Sequence, residues 1–166
     1  MKGRETEVAH QRGEHGVCLK LNEMGLLVAR FAGNVPDFDI VAVDEHLKTR
    51  LVQVKAVQSG DWSVPLRRLA NVRYDEASGK QQVLGDKPDL EDLIFVFVRL
   101  DDRGDDFYVL KGDALRRIVR ENYEAYLAKR GGRRRDTPES FDARVRIADL
   151  SRPEDGFRDN WNAFRE

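Results

Sequence analysis

The sequence predicts an α/β protein in which a central sheet is flanked by an N-terminal helix and a second helix near residue 120. Apolar residues recur at helical spacing over residues 5–24 and 113–129. Short apolar runs, typical of strands, lie between these two segments. The segment Leu93–Leu100 is apolar on both faces, which indicates a strand in the middle of the sheet.

The first helix contains two glycines, Gly13 and Gly16, although glycine costs a helix up to ~1 kcal/mol relative to alanine. Two explanations are open: the glycines permit a close approach of backbone, or they mark a late start of the helix. Gly25 then ends the helix as a C-cap.

Seven strands are expected from the apolar runs and the turn residues between them. They are Leu26–Phe31, Ile40–Val43, Leu51–Val57, Trp62–Leu66, Leu93–Leu100, Phe107–Leu110 and Val145–Ile147. A turn at Gly33-Asn34 should lead into Pro36.

Two segments are predicted to lie outside the sheet. Arg67–Glu91 is mostly polar and contains the breakers Ser78-Gly79 and Lys87-Pro88, so a long irregular excursion is expected. The tail Phe157–Phe164 carries aromatic residues at helical spacing, which core or dimer packing explains better than base stacking.

Composition predicts one domain over residues 1–166, with a core at about 5–130 and a C-terminal extension at about 131–166. The 166 residues are 40% hydrophobic and 36% charged, and the net charge of −1 leaves any polyanion binding to local clusters. The N terminus has no apolar signal region, no run of about 18 apolar residues occurs, and Cys18 is the single cysteine. We therefore expect a cytoplasmic protein without a membrane span.

The polar residues around the predicted hairpin of residues 40–57 carry the chemistry. Asp39 opens the first strand, and alternation places Gln53 and Lys55 on one face of the second. A register centred near Leu47 would set Asp39 beside Lys55 on that face. Unpaired polar groups beside apolar strands cost about 1–3 kcal/mol each, so this arrangement indicates a functional site.

Other common site types are excluded. One cysteine excludes a cysteine-rich zinc site, and His10, His15 and His46 lack ligand spacing. The sequence has no Gly-x-Ser-x-Gly elbow, no phosphate-binding P-loop and no dinucleotide fingerprint.

The pattern of Asp39 followed, after a hairpin, by Gln53-x-Lys55 resembles the PD-(D/E)xK nuclease superfamily, which includes many restriction endonucleases and Holliday-junction resolvases. Gln53 stands where Asp or Glu is usual, and Glu14 matches the glutamate that often sits on the first helix. Asp37, in Pro36-Asp37, is a second candidate for the first acid. Asp39 is preferred because it abuts the strand and shares the parity of Gln53 and Lys55.

The resemblance implies a restriction-endonuclease-like fold with a central mixed sheet. It also implies divalent-metal-dependent hydrolysis of DNA phosphodiester bonds, in restriction, defence or repair. Asp39, Gln53, the carbonyl of Val54 and Glu14 would hold Mg²⁺ or Mn²⁺, and Lys55 would orient the attacking water. The alternative function is a non-catalytic module of the same fold that binds nucleic acid or a partner protein.

Glu14 has two interpretations from the residues. It lies on the apolar stripe of the first helix, four residues before Cys18 and seven before Leu21. It either faces water near the N-terminal end of the helix, or points inward to a metal or to Lys55.

Basic residues supply the expected contacts to nucleic acid. The candidates for phosphate contacts are Arg67, Arg68, Arg133, Arg134 and Arg135. DNA is the expected partner, although the residues do not exclude RNA. A homodimer through the aromatic C terminus is also expected.

Overall fold

A five-stranded sheet lies at the centre of the protein, in the order β1-β2-β3-β7-β8. The structure is a computed structural model, and it describes residues 2–31, 37–88, 90 and 92–166. The strands are β1 Leu27–Arg30, β2 Ile40–Val43, β3 Thr49–Val57, β4 Trp62–Pro65, β5 Ala70–Asp75, β6 Lys80–Asp86, β7 Leu93–Arg99, β8 Asp106–Lys111 and β9 Asp142–Val145. The helices are α1 Lys2–Glu23, α2 Gly112–Ala128 and α3 Ile147–Leu150.

The central sheet is mixed. β3 pairs with β7 in parallel, whereas β1–β2, β2–β3 and β7–β8 are antiparallel. β7 lies between two partners and is buried along Leu93–Val98, as its apolar sequence indicates. The predicted fold class, a mixed sheet flanked by helices, is therefore confirmed.

Each face of the sheet has its own apolar core. On one face α1 packs against the side of β3 that carries Val52, Val54 and Ala56. On the opposite face α2 packs with the pair β4–β9 against Phe95 and Phe97 of β7. Because strand side chains alternate, Gln53 and Lys55 project to this second face.

The glycines of α1 mark a close approach of backbone. A Cβ on Gly13 would lie 2.3 Å from the Cβ of Ala56, and one on Gly16 would lie 3.3 Å from the ring of Phe107. The helix begins at Lys2, well before either glycine, so the alternative of a late helix start is wrong.

The segment Arg67–Glu91 is not an irregular excursion, and that prediction is wrong. A short 3₁₀ turn, Leu66–Arg68, leads into an antiparallel hairpin of β5 and β6, with Gly79 at φ 65° in the connecting turn. One face of this hairpin is polar and exposed, so alternate positions carry only a few apolar residues. That weak alternation concealed the strands.

The C-terminal segment differs from the prediction in two places. β9 ends at Val145 and is followed by the short helix α3, so no strand covers Ile147. Helical geometry in the tail is confined to the 3₁₀ turn Trp161–Phe164. Phe157 is buried in the core on the α2 face and Phe164 in the core on the α1 face, so these aromatics pack within the chain.

Two further expectations concern the turn before β2 and the absence of a membrane span. The turn expected at Gly33-Asn34 and Pro36 lies outside the described residues. No helix in the described ranges is long and apolar enough to cross a membrane.

Candidate active site

The register of the β2–β3 hairpin brings Asp39 opposite Gln53. Ile40 pairs with Val52 and Val43 with Thr49, so the hairpin is centred one residue earlier than predicted. The predicted pairing of Asp39 directly beside Lys55 is therefore wrong by two residues along β3. Because side chains alternate between the two faces of a strand, a shift of two residues keeps the same face, and Asp39, Gln53 and Lys55 share it.

The turn of this hairpin explains the shift in register. Oδ1 of Asp44 accepts hydrogen bonds from the backbone N–H groups of His46 and Lys48, each at 2.9 Å. Leu47 adopts φ 62°, in the left-handed region, which closes the turn. An Asx-type bond of this kind was not visible in the apolar pattern from which the register was predicted.

Asp39 is half-buried and is held by the neighbouring strand. Its Oδ2 accepts hydrogen bonds from Nε2 of Gln53 at 2.5 Å and from the backbone N–H of Val54 at 2.7 Å. Its own backbone N–H donates to the carbonyl of Val52 at 2.8 Å. The carboxylate is therefore fixed at the point where β2 begins and β3 runs past it.

The backbone of Val54 faces this same point. The N–H and C=O of a strand residue are directed to one side of the strand, so the Val54 carbonyl lies on the same side of β3 as its N–H, which bonds to Asp39. β2 begins at Ile40, so no β2 strand residue lies opposite Val54. The result is an anionic oxygen and a carbonyl oxygen at the open end of a strand pair.

Lys55 lies one alternation further along the same face and is half-buried. Burial lowers the pKa of its ammonium group, the Asp39 carboxylate raises that pKa, and the Arg68 guanidinium lowers it. The net effect is a lysine that releases its proton more readily than an exposed lysine.

Arg68, at the end of the 3₁₀ turn, reaches into the site. Its Nη1 donates to Oε1 of Gln53 at 2.8 Å, and its Nη2 donates to Oδ1 of Asp37 at 3.2 Å. The buried amide of Gln53 thus donates to Asp39 and accepts from Arg68. The side chain of Asp37 is 77% exposed and lies further out than Asp39, and the choice of Asp39 over Asp37 as the first acid stays a prediction.

Glu14 is held on the α1 side of the sheet by Arg30 of β1. Oε2 of Glu14 accepts from Nη2 of Arg30 at 2.6 Å and from Nε at 3.0 Å, and Arg30 also contacts His15. The Glu14 side chain is 19% exposed, so it does not face open water. It lies on the α1 side of the sheet, whereas Lys55 projects to the other face. Sequence reasoning missed Arg30 because nothing in the apolar pattern links residues sixteen apart.

The arginines predicted to contact phosphate have different surroundings. Arg67 is exposed and its guanidinium lies 4.5 Å from the ring centroid of Phe141. Arg134 donates to the carbonyls of Ser140 and Asp142 at 2.9 and 3.0 Å. Arg133 and Arg135 are exposed in the loop after α2.

The groups around Asp39 that could contact a cation are oxygen atoms, the ligand type that hard divalent ions prefer. Within residues 2–31, 37–88, 90 and 92–166, no three His, Cys, Asp or Glu side chains lie close enough together to hold a metal ion. One carboxylate and one carbonyl are available at the open end of β2–β3, and the amide oxygen of Gln53 is bonded to Arg68. An ion held by these two oxygens would have to keep several waters, as Mg²⁺ does in proteins.

No protein-family model matches this chain, and no curated protein sequence matches it. A solved structure of "a bacterial homing endonuclease: I-Ssp6803I" has a similar fold, with a TM-score of 0.50 and 14% sequence identity. The match covers 95% of this chain and 91% of that chain. The chain therefore has a nuclease-like α/β fold.

Proposed function

We propose that the chain is a divalent-metal-dependent nuclease that hydrolyses DNA phosphodiester bonds, as a Gln-x-Lys variant of the PD-(D/E)xK type. The observation that supports this most strongly is the half-buried group of Asp39, Gln53 and Lys55 on one face at the end of a strand pair. The fold shared with a bacterial homing endonuclease supports the same proposal. The biological setting would be restriction, defence or repair.

Asp39 and the carbonyl of Val54 would hold Mg²⁺ or Mn²⁺. When bound, the ion would supply Lewis-acid stabilisation of the phosphate charge and a more acidic water. Gln53 could add its amide oxygen only after its amide group rotates, because Oε1 now accepts from Arg68. Rotation would turn the Gln53 N–H₂ group towards the guanidinium, so Arg68 would have to withdraw.

Lys55 would orient the attacking water and donate to the phosphate oxygens as negative charge develops. Its lowered pKa places its proton affinity closer to neutral pH, which favours transfer or sharing of a proton. A positive donor in a site with little water stabilises developing charge better than one in open solvent.

Glu14 lies on the α1 side of the sheet, so it could hold the outer water shell of the ion only if the ion lies at the open end of β2–β3, where the two faces of the sheet meet. Arg30 fixes the orientation of its carboxylate and offsets its charge. Asp39 is then the main anionic ligand, and we expect weak metal binding with one ion per site.

A specific observation favours a second function, a non-catalytic nucleic-acid-binding module of the same fold. Oδ2 of Asp39 is satisfied by two N–H donors, Gln53 is satisfied by Arg68, and Glu14 is satisfied by Arg30. A carboxylate or amide whose polar atoms are already paired is stable without an ion.

Supercoiled plasmid incubated with Mg²⁺ or Mn²⁺ distinguishes the two functions. We expect the wild type to cut, and Asp39→Ala and Lys55→Ala to lose cutting while they still bind DNA. Asp102→Ala, which removes an exposed acid in the β7–β8 turn, is the matched control and should cut normally. Binding by the wild type that is unaffected by EDTA, without cutting in either metal, would favour the module.

A further inference from the structure

The β5–β6 hairpin, residues 70–86, is a two-stranded antiparallel ribbon outside the central sheet. One face of the ribbon packs on the α2 face of the core through Val72, Tyr74 and Val83. The other face is exposed and mostly polar, and it presents Asn71, Arg73, Asp75, Lys80, Gln82 and Leu84. No function has been assigned above to this exposed face.

The exposed face carries side chains of the types that can bind base edges. Arg73 lies opposite Gln82, and its Nη2 donates to Oε1 of Gln82 at 2.6 Å. Each partner keeps further donors: the guanidinium has four other N–H groups and the amide has its N–H₂. Arginine suits the two acceptors of guanine, and glutamine or asparagine suits adenine.

The ribbon is held rigidly from behind by a buried amide. Gln81 is 3% exposed; its Nε2 donates to the carbonyl of Ser140 at 2.8 Å, and its Oε1 accepts from the hydroxyl of Tyr123 at 2.6 Å. A ribbon fixed in this way presents its outer side chains with little entropy left to lose on binding.

A basic loop docks beside the tip of the ribbon. This loop, residues 129–135, contains Lys129 and Arg130 followed by two glycines and three arginines. The backbone N–H of Gln81 donates to the carbonyl of Gly132 at 2.8 Å, and Nε of Arg133 donates to the carbonyl of Ser78 at 3.0 Å. Five basic residues of the loop therefore lie beside the tip of the ribbon, where Lys80 is paired across the strands with the acidic Asp75.

We propose that the β5–β6 ribbon enters the major groove of duplex DNA and recognises bases through Arg73, Gln82 and Asn71, while the basic loop contacts the flanking phosphates. This inference rests on the proposed function, because it names the substrate that the site would cut. A two-stranded ribbon fits the B-form major groove, which is about 12 Å wide. The major groove of A-form RNA is too narrow for side chains to enter.

The position of the ribbon relative to the site limits the distance between the recognised bases and the phosphate that would be cut. The 3₁₀ turn that carries Arg68 leads directly into β5, so the base of the ribbon adjoins Gln53. From Ala70 to Asp75 the strand extends by roughly 17 Å, at about 3.3 Å per residue. Base pairs rise by about 3.4 Å, so the recognised bases lie within roughly five pairs of the scissile phosphate.

Binding selection without cleavage tests the inference. The full chain is incubated in EDTA with a randomised 20-base-pair DNA duplex, and the bound fraction is sequenced. We expect a preferred sequence of a few base pairs in the wild type. Arg73→Ala and Gln82→Ala should each relax the preference at one or two positions, with discrimination there falling about tenfold or more.

The basic loop should behave differently from the ribbon. Arg133→Ala and Arg135→Ala should weaken binding to all duplexes alike and reduce the dependence of log K on log salt by about one unit each. Arg4→Ala, which removes an exposed positive charge from α1 behind the other face of the sheet, is the matched control and should change neither quantity.

The outcomes separate this inference from the proposed function. A selected sequence that depends on Arg73 and Gln82 supports the ribbon, whether or not the plasmid is cut. The inference is overturned if the ribbon variants retain the wild-type preference, if no sequence is enriched, or if a duplex RNA of the selected sequence binds as tightly as the DNA. If the plasmid is cut but the ribbon shows no sequence preference, the proposed nuclease function holds and the ribbon inference fails.

Discussion

The β2–β3 hairpin and the β5–β6 ribbon are both antiparallel strand pairs, yet their surroundings differ. β3 lies inside the central sheet, with a parallel neighbour on one side and α1 against one face. The ribbon has no neighbour strand in the described part of the chain, and one of its faces is exposed. Both hairpins carry a glutamine and a lysine within three residues: Gln53 and Lys55 in the first, Gln82 and Lys80 in the second.

The difference in burial changes what the same residue types can do. Gln53 is 6% exposed and both ends of its amide are paired, and burial lowers the pKa of Lys55. Gln82 and Lys80 are exposed, so their side chains are available to a partner in solution. A buried hairpin with polar residues suits chemistry, and an exposed one suits recognition.

The largest expected difference is in cleavage. Lys55→Met keeps the length of the side chain but removes the ammonium, and we expect the cleavage rate to fall by about 10²–10³-fold, as when one donor to developing charge is lost. Lys80→Met should leave the rate at saturating DNA unchanged and weaken binding only slightly. Single-turnover cleavage of a plasmid measures both. Equal losses for the two variants would contradict a special role for the buried lysine.

A new carboxylate should make stability depend on metal in the β2–β3 hairpin but not in the ribbon. Gln53→Glu removes the donor to Asp39 and places a second carboxylate beside it, so we expect about 1–3 kcal/mol of lost stability in EDTA. Mg²⁺ should restore that stability, and metal affinity should exceed that of the wild type by tenfold or more. Thermal unfolding with and without Mg²⁺, together with calorimetric titration, measures the effect.

Gln82→Glu is the matched control for this change. It adds the same charge to the exposed ribbon but keeps the wild-type site, so Mg²⁺ should raise its melting temperature by no more than it raises that of the wild type. An equal gain in metal stabilisation over the wild type in both variants would show that the ion acts on surface charge and not on the site.

The β2–β3 hairpin, unlike the ribbon, packs closely against α1, and a glycine in that contact should be sensitive to substitution. Gly13→Ala places a Cβ 2.3 Å from the Cβ of Ala56 on β3, so α1 must shift, and we expect a loss of about 1–3 kcal/mol in the free energy of unfolding. Gly3→Ala, in the same helix with no atom within 4 Å of the added Cβ, should leave stability equal or slightly higher. Urea denaturation of both variants provides the measurement, and equal stability of the two would contradict the close approach.

The smallest effect concerns pH. Lys55 has a lower pKa in the folded protein than in the unfolded chain, mainly because of burial. Between those two pKa values the unfolded chain binds more protons, so stability rises with pH across that alkaline window. Relative to the wild type, Lys55→Met should lose this rise and should be the more stable of the two at neutral pH. A parallel dependence in both proteins, from denaturation at pH 7 to 10, would contradict the burial of the charge.

The sequence was most informative where apolar pattern and burial coincide. The central strand β7 and both long helices follow from apolar periodicity, and the shared face of Asp39, Gln53 and Lys55 follows from alternation. The ribbon was missed because its outer face is polar. The predicted partner of Asp39 was wrong by two residues along β3, because the turn at Asp44, and not the matching of apolar residues, sets the register.

The arginine contacts around the site could not be predicted for a different reason. Arg30 and Arg68 are brought to Glu14 and Gln53 by the packing of separate elements, and nothing local in the chain indicates such pairs. The homodimer expected from the aromatic tail stays a prediction. It is without structural support, because Trp161 packs against Phe107 and Phe164 of the same chain.

The site itself can be tested directly by anomalous diffraction from crystals soaked in Mn²⁺. The account predicts one peak within about 2–2.5 Å of an oxygen of Asp39 and of the Val54 carbonyl, and its loss in Asp39→Asn. A peak elsewhere in the molecule, retained in Asp39→Asn crystals, would contradict it.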